Sequence, residues 1–196
     1  TPGGGLIPYS SSWRPTEPSG VLHSSRDRAP NEALHTALAA YQAGLDDYAH
    51  RILRGVCYSV RHSVTAAGSL CNKVDAEGRG LHHPDFADGT SLFFRTVAEG
   101  LFGIQPAVPD GKVRFAPLLP SDWDRASLST AGFTVEFSRA GRAETFTFRT
   151  DKKLDYEIRI PLRRTRVSTL TVNGAKAEYT LETGVGTPRI RVRVPS

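Results

Sequence analysis

The chain of 196 residues lacks methionine and has only two cysteines, Cys57 and Cys71. The cysteines form no C-x-x-C pair, so a cysteine-bound zinc ion is unexpected, and both a disulfide and a pair of buried free thiols remain open. Methionine is missing even at position 1, where the chain opens with Thr-Pro-Gly-Gly-Gly. We therefore expect a processed product, a piece of a longer polypeptide, or a sequence from which modified methionines were lost.

Signatures of several common protein classes are also missing. No apolar run is long enough to span a bilayer, and no basic segment followed by an apolar one marks a signal peptide. The chain has no G-x-S-x-G, P-loop, G-x-G-x-x-G or H-E-x-x-H motif, which argues against the usual serine hydrolases, nucleotide-binding folds and zinc proteases. We expect no cofactor, no metal and no membrane partner.

The net charge of +5 raises the question of a polyanionic partner. The arginines at positions 189, 191 and 193 alternate with aliphatic residues, which predicts that they share the solvent face of one strand. A second cluster is tighter and contains Arg163, Arg164 and Arg166. Because no aromatic residue interrupts that cluster to stack on bases, we expect no nucleic-acid partner.

Composition divides the chain into three parts. Residues 1–30 are rich in Pro, Gly and Ser, with few apolar anchors, which predicts an extended covering loop. Residues 31–104 carry helical periodicity, and residues 105–196 alternate apolar and polar side chains as strands do. The predicted fold class is therefore α+β, with a helical part followed by a β domain.

A pair of helices follows the loop. Pro30 ends any earlier helix, Asn31 is a good N-cap, and Glu32 lies in the first turn, where the helix dipole favours an anion. Gly44 ends this helix and Asp46 caps the next one. The predicted buried positions are Leu34, Ala37, Leu38 and Tyr41 in the first helix, then Tyr48, Ile52, Leu53 and Val56 in the second.

The stretch Asp88–Ile104 marks the change from helical to β signals. It is predicted to be one helix, with Asp88 or Thr90 as the N-cap and Gly100 or Gly103 at the end. Its apolar residues at helical spacing are Leu92, Phe93, Val97, Leu101 and Phe102. Beyond it, alternation predicts a small antiparallel β-sandwich, and the pair Asn173-Gly174 predicts a type I′ hairpin.

Four segments resemble the C-terminal end of bacterial six-hairpin glycosidases, including rhamnosidase-like and plant-polysaccharide-degrading families. The segments are Arg28–Gly44, Asp85–Ser91, Glu99–Ile104 (EGLFGI) and Pro117–Trp123 (PLLPSDW). The resemblance covers roughly residues 5–150. It implies the last helical hairpins of an (α/α)6 toroid followed by the β-sandwich, in a glycoside hydrolase that cleaves polysaccharide or oligosaccharide side chains.

The resemblance also implies partners and a location. Such a toroid has about twelve helices, and the helical signals here account for about three of them. The remainder of the toroid would come from an upstream segment or a separate chain, because isolated hairpins would expose a large apolar surface. The expected substrate is a carbohydrate, and the expected location is secreted or periplasmic.

Glycoside hydrolysis needs two carboxyl groups, about 6.5–9.5 Å apart for inversion and closer for retention. In a helical toroid the site lies at helix ends and loops, so we take Glu32 and Asp88 as catalytic candidates. The structural alternatives are that Glu32 complements the helix dipole and that Asp88 only caps its helix.

The candidate substrate-binding residues are polar or aromatic groups around these helix starts. The resemblance places the loop that carries His23, Arg26 and Asp27 over the mouth of the active site, where these side chains could fix sugar hydroxyls or a carboxylate. Trp13 could stack on a sugar ring, or merely anchor the loop. The remaining candidates are His35, His83 and Asp85. An alternative from another class is a non-catalytic carbohydrate- or protein-binding β-sandwich module with a helical adaptor.

Overall fold

The computed structural model describes residues 29–194, except Ala76 and Phe86. Within this part the fold is mixed α+β, with three α-helices and several small sheets. The described chain divides into two compact units. Unit 1 contains residues 29–40 and 47–96, and unit 2 contains residues 41–46 and 97–194.

Helix α1 spans Pro30–Ala43. It begins at Pro30, one residue before the predicted N-cap Asn31, and the amide of Ala33 donates to the carbonyl of Ala29 at 3.2 Å. Proline suits a first helical position because the missing N–H would have no partner there. The four predicted apolar positions are confirmed as buried: Leu34, Ala37, Leu38 and Tyr41.

Helix α2 spans Asp46–Arg61 and follows Gly44, whose φ of +82° ends α1 as predicted. Asp46 is the first residue of α2, and its carboxylate pairs with Arg163 at 3.1 Å. Tyr48 was predicted to be buried, which is wrong, because its side chain is 46% exposed and Ala49 takes the inward position. The other three predicted positions are buried: Ile52, Leu53 and Val56.

The predicted single helix over 88–104 consists of two helical segments. Helix α3 spans Ala87–Arg95, so Asp88 lies in its first turn instead of at the N-cap. The backbone then widens into a π-helical segment, Thr96–Leu101. Gly103, with φ +70°, closes it.

Unit 2 contains two larger sheets and a small hairpin. Its strands are β3 (Ile104–Ala107), β4 (Lys112–Phe115), β5 (Arg125–Ser129), β6 (Phe133–Ala140), β7 (Ala143–Thr150), β8 (Asp155–Pro161), β9 (Thr171–Val172), β10 (Ala175–Lys176), β11 (Thr180–Glu182) and β12 (Arg189–Val194). A 3₁₀ turn, Val108–Asp110, joins β3 to β4. Unit 1 contains the remaining pair, β1 (Lys73–Val74) and β2 (Gly80–His82).

The five-stranded sheet has the order β11-β12-β8-β4-β3. Its pairings are antiparallel except between β4 and β8, where Lys112 lies opposite Asp155 and Phe115 opposite Ile158 in a parallel register. This pair departs from the wholly antiparallel domain that the alternation predicted. A parallel pair requires a long connection, and here β5, β6 and β7 lie between β4 and β8 in the chain.

The three-stranded sheet β5-β6-β7 packs against the five-stranded sheet through aromatic rings. The ring of Phe115 on β4 stacks on Phe148 of β7 with a centroid separation of 5.1 Å, and meets Phe146 edge-on at 6.2 Å. Val113 and Val135 are fully buried beside these rings. The alternation predicted for residues 105–196 is seen in β6, where Val135 and Phe137 are buried and Glu136 between them is exposed.

The hairpin β9–β10 turns at Asn173-Gly174, as predicted. Asn173 has φ +53° and Gly174 has φ +81°, the two positive values that a type I′ turn requires.

The arginines of β12 are less exposed than the alternation predicted. Arg189 and Arg191 are half-buried, and Arg193 is exposed. The Arg189 guanidinium donates to the carbonyl of Tyr41 at 3.4 Å, and burial followed by the charge of Arg159 lowers its pKa. Arg191 pairs with Glu182 at 3.4 Å.

Candidate functional site

The start of α1 carries the first catalytic candidate. Glu32 is half-buried in the first turn of the helix, as predicted. The Thr36 hydroxyl donates to the backbone carbonyl of Glu32 at 3.1 Å, a bond that does not engage the Glu32 carboxyl group. His35, one turn further on, is exposed.

The start of α3 lies against the start of α1. A Cβ on the buried Gly89 would come within 2.8 Å of Leu70 Cδ2 and 4.0 Å of Asn31 Cβ. Gly89 follows the exposed Asp88, and Asn31 precedes Glu32. The structure therefore brings the helix turns of the two catalytic candidates together within unit 1. We call the residues Asn31, Glu32, Asp85 and Asp88 the helix-start cluster.

The segment before α3 has an unusual backbone. His83 has φ +47° and Asp85 has φ +58°, a region that residues other than glycine rarely occupy. Ser69 holds this segment, because its hydroxyl donates to Asp85 Oδ1 at 2.7 Å and accepts from the Asp85 amide at 2.7 Å. The amide of Asn72 also donates to the His83 carbonyl at 3.2 Å. Such constrained positions concentrate at functional sites, where the surrounding contacts fix them.

Two polar residues of this region, Asn31 and Ser69, are not among the site residues predicted from the sequence. Asn31 Oδ1 is buried and accepts no hydrogen bond from the described residues, which leaves an acceptor available beside Glu32. Asn31 was expected only as a helix cap, and no signal marked it further. Ser69 is buried sixteen residues away from Asp85 in the chain, and no local pattern links the two.

Four candidate substrate-binding residues lie outside the described residues: Trp13, His23, Arg26 and Asp27. The predicted covering loop that contains them falls almost entirely in the same part of the chain. Their proposed roles remain predictions.

The helix-start cluster contains three carboxyl groups and the amide acceptor Asn31 Oδ1, at the N-terminal ends of two helices. The helix dipole stabilises the negative charge of a carboxylate in the first turn of a helix.

Within residues 29–194, apart from the two undescribed positions, no group of three or more metal-ligating side chains is assembled. No helix in the same residues is long and apolar enough to cross a membrane.

The two cysteines are free thiols. Cys71 is buried and lies 3.2 Å from the hydroxyl of Ser63, while Cys57 is exposed. Neither the disulfide nor the pair of buried thiols considered from the sequence is therefore present.

Two concave surfaces lie in unit 2 and include none of the predicted site residues. The larger, which we call the β7 groove, has a volume of about 980 Å³ and runs along β7, β8 and β9. The smaller has about 430 Å³ and is lined by Lys112, Asp155, Tyr156, Glu157, Arg193 and Val194. The sequence contained no signal for either, because each depends on how strands distant in the chain are arranged.

Comparison with known proteins adds no family assignment. No family model matches the chain, and no curated protein matches it in sequence.

Proposed function

We propose that the chain is the C-terminal part of a glycoside hydrolase acting on polysaccharide or oligosaccharide side chains. In this proposal α1, α2 and α3 are the last helices of an (α/α)6 toroid, and the two larger sheets of unit 2 form its β-sandwich. The support from the sequence is the resemblance of the EGLFGI and PLLPSDW segments to six-hairpin glycosidases.

The adjoining starts of α1 and α3 are the single observation that carries the proposal. The contact of Gly89 with Asn31 and Leu70 brings together the turns that hold Glu32 and Asp88. Glycoside hydrolysis requires two carboxyl groups that flank the scissile bond. One protonates the leaving oxygen, while the other activates water or attacks the anomeric carbon.

The remaining polar groups of the cluster suit sugar hydroxyls. A hydroxyl donor would satisfy the buried Asn31 Oδ1, which accepts no bond from the described residues. Asp85, His83 and His35 are exposed near the same helix starts and could bind further hydroxyls. This two-carboxylate chemistry needs no cofactor.

The proposal includes partners and a location. The remainder of the toroid, on an upstream segment or a separate chain, would complete the site and cover the apolar faces of the hairpins. The substrate is a carbohydrate, and the enzyme would act after secretion or in the periplasm.

The test uses the protein purified together with any chain that accompanies it. Hydrolysis of a panel of aryl glycosides is measured for the unaltered protein, Glu32→Gln and Asp88→Asn. Loss of an acid–base group costs about 100-fold or more in kcat, so each variant should lose at least that much. Asp47→Asn is the matched control, because Asp47 is also an exposed acid in a first helical turn, that of α2.

Full activity in Glu32→Gln would remove Glu32 from the catalytic role. Equal losses of activity in Glu32→Gln and Asp47→Asn would show that both acids only stabilise their helices through the helix dipole. Sugar binding by the unaltered protein without hydrolysis of any glycoside would favour the binding-module alternative.

A further inference from the structure

Strand β7 is an edge of the three-stranded sheet. In the part of the chain that the structure describes, β7 pairs only with β6, in an unbroken register from Phe133 opposite Thr150 to Ala140 opposite Ala143. An edge strand turns alternate backbone N–H and C=O groups away from its sheet, which makes it a template for another strand.

The other edges of the two larger sheets are shorter or interrupted. Strand β11 has three residues and β5 has five, whereas β3 has four and contains Pro106. Short strands and prolines are the usual means by which proteins block unwanted pairing at an edge. With eight residues and no proline, β7 lacks both forms of protection.

The β7 groove runs beside this free edge and has an apolar wall. Phe146 and Phe148 line it from β7, and Ile158 and Ile160 line it from β8. These four side chains are half-buried, whereas Val135 in the same core is fully buried. The three-stranded sheet covers a sheet of five strands, so a strand added at β7 would cover apolar surface that is now partly exposed.

The two ends of the β7 groove carry charges of opposite sign. Arg149, Lys152 and Lys153 line the end where β7 finishes, and Glu144 lines the end where β7 begins. Arg149 already pairs with Glu136 at 2.9 Å, and Lys152 pairs with its exposed neighbour Asp151 at 3.3 Å, so the attraction for an incoming acid comes mainly from the two lysines. An incoming segment therefore gains most from acidic residues at the basic end.

We propose that the β7 groove accepts an added β-strand from a partner polypeptide, with apolar side chains at alternate positions and an acidic N-terminal end. The strand runs antiparallel to β7, because that direction places its N-terminal acids beside Arg149, Lys152 and Lys153. Its backbone pairs with the free edge, and every second side chain enters the groove. The proposal is independent of the glycosidase function.

Two synthetic peptides test the proposal on the full chain. The probe is Ac-Asp-Glu-Val-Thr-Val-Thr-Val-Lys-NH₂, and the control is the reversed sequence Ac-Lys-Val-Thr-Val-Thr-Val-Glu-Asp-NH₂. Amide hydrogen exchange measured by NMR should show that the probe protects the alternate β7 amides that do not donate to β6. The reversed peptide should bind about tenfold more weakly, a difference of about 1.4 kcal/mol. In the antiparallel direction its lysine would lie beside Lys152 and Lys153, and its acids would lie beside Glu144, so like charges would repel.

Charge reversal in the protein supplies the matching variant. Lys152→Glu combined with Lys153→Glu should invert the preference between the two peptides. Lys176→Glu, at an exposed residue of β10 that does not line the groove, should leave the preference unchanged. Unchanged exchange of the β6 amides reports that the variants remain folded.

Four outcomes would overturn the proposal. Equal affinity for the two peptides would remove the role of charge. Protection of all β7 amides before any peptide is added would mean that the edge is already covered. A concentration-dependent dimer with the same protection would assign the edge to a second copy, and binding of decanoate without binding of the probe would assign the groove to amphiphiles.

Discussion

Gly103 shows how one residue fixes the exit from the helical segment. Its φ of +70° suits glycine, and an added Cβ would overlap the carbonyl group of Ala116. Two backbone hydrogen bonds hold the segment around Ala116 in place. The Ala116 amide donates to the Gly103 carbonyl at 2.8 Å, and the Leu118 amide donates to the Leu101 carbonyl at 2.9 Å. A side chain at position 103 therefore collides with backbone that cannot move freely.

Gly103→Ala should lower the free energy of unfolding by about 3 kcal/mol or more, from the positive φ and the overlap together. Gly111→Ala is the matched control, because Gly111 has φ +65° and open space around its Cα. We expect the control to cost only about 1 kcal/mol in urea denaturation. Equal costs would show that the contact with Ala116 is unimportant.

The ionisation of Glu157 makes the stability of the five-stranded sheet depend on pH. Burial alone would raise its pKa, but the hydrogen bond from Arg114 at 2.9 Å and the charge of Arg159 outweigh burial and lower it. A carboxyl whose pKa is lowered by folding contributes stability above its unfolded pKa, about 4.3. That contribution disappears as the pH falls through the folded pKa.

Glu157→Gln should therefore cost up to about 1 kcal/mol at neutral pH, in keeping with a partly exposed ion pair. The difference from the unaltered protein should shrink as the pH falls below about 4.3. Urea denaturation over a pH series measures both effects, with Glu136→Gln, an exposed partner of Arg149, as the control. A difference that stays constant with pH would contradict the role of the Glu157 charge.

At the scale of elements, the junction of α3 with the π-helical segment depends on Thr96. This residue is fully buried, and its hydroxyl lies 2.8 Å from the Leu92 carbonyl and 3.3 Å from the Leu34 carbonyl of α1. A hydroxyl bonded to the carbonyl one turn back is a common cause of local change in helix geometry.

Thr96→Val keeps the volume of the side chain and removes the hydroxyl. We expect a loss of about 1 kcal/mol in the free energy of unfolding, the usual worth of a buried hydrogen bond. Ser91→Ala, on the exposed side of α3, should change stability by less than about 0.5 kcal/mol. Equal stability of Thr96→Val and the unaltered protein would show that the hydroxyl is dispensable.

The elements differ in how far the sequence predicts them. Helical periodicity suffices to predict the buried face of α1, and the Asn173-Gly174 dipeptide suffices to predict its hairpin, because both signals come from residues close together in the chain. The π-helical segment is too short to impose a periodicity of its own. The parallel pairing of β4 with β8 depends on chain segments forty residues apart, which no local pattern encodes.

The candidate site follows the same division. Glu32 and Asp88 could be named from the sequence because acids in first helical turns have a recognisable position. The proximity of their helix starts could not be predicted from the sequence, because it depends on the contact of Gly89 with Leu70 and Asn31. The positive φ of Asp85 likewise comes with a contact to Ser69 that only the folded chain provides.

At the scale of the whole molecule, many of the arginines behind the net charge of +5 are neutralised in ion pairs. Arginines of unit 2 that pair with acids include Arg114 with Glu157, Arg139 with Glu144, Arg149 with Glu136, Arg159 with Glu157 and Glu182, Arg163 with Asp46, and Arg191 with Glu182. The helix-start cluster in unit 1 carries the proposed catalysis, and the β7 groove in unit 2 carries the proposed strand binding.

The proposed function places the binding and cleavage of a sugar at the helix-start cluster. A crystal structure of the protein with a bound monosaccharide product, including any chain that accompanies it, tests this claim most directly. We expect the carboxylates of Glu32 and Asp88 to lie within direct or water-mediated hydrogen-bond reach of the sugar, about 3 Å for a direct contact. A sugar bound in the β7 groove, or one that neither carboxylate approaches, would contradict it.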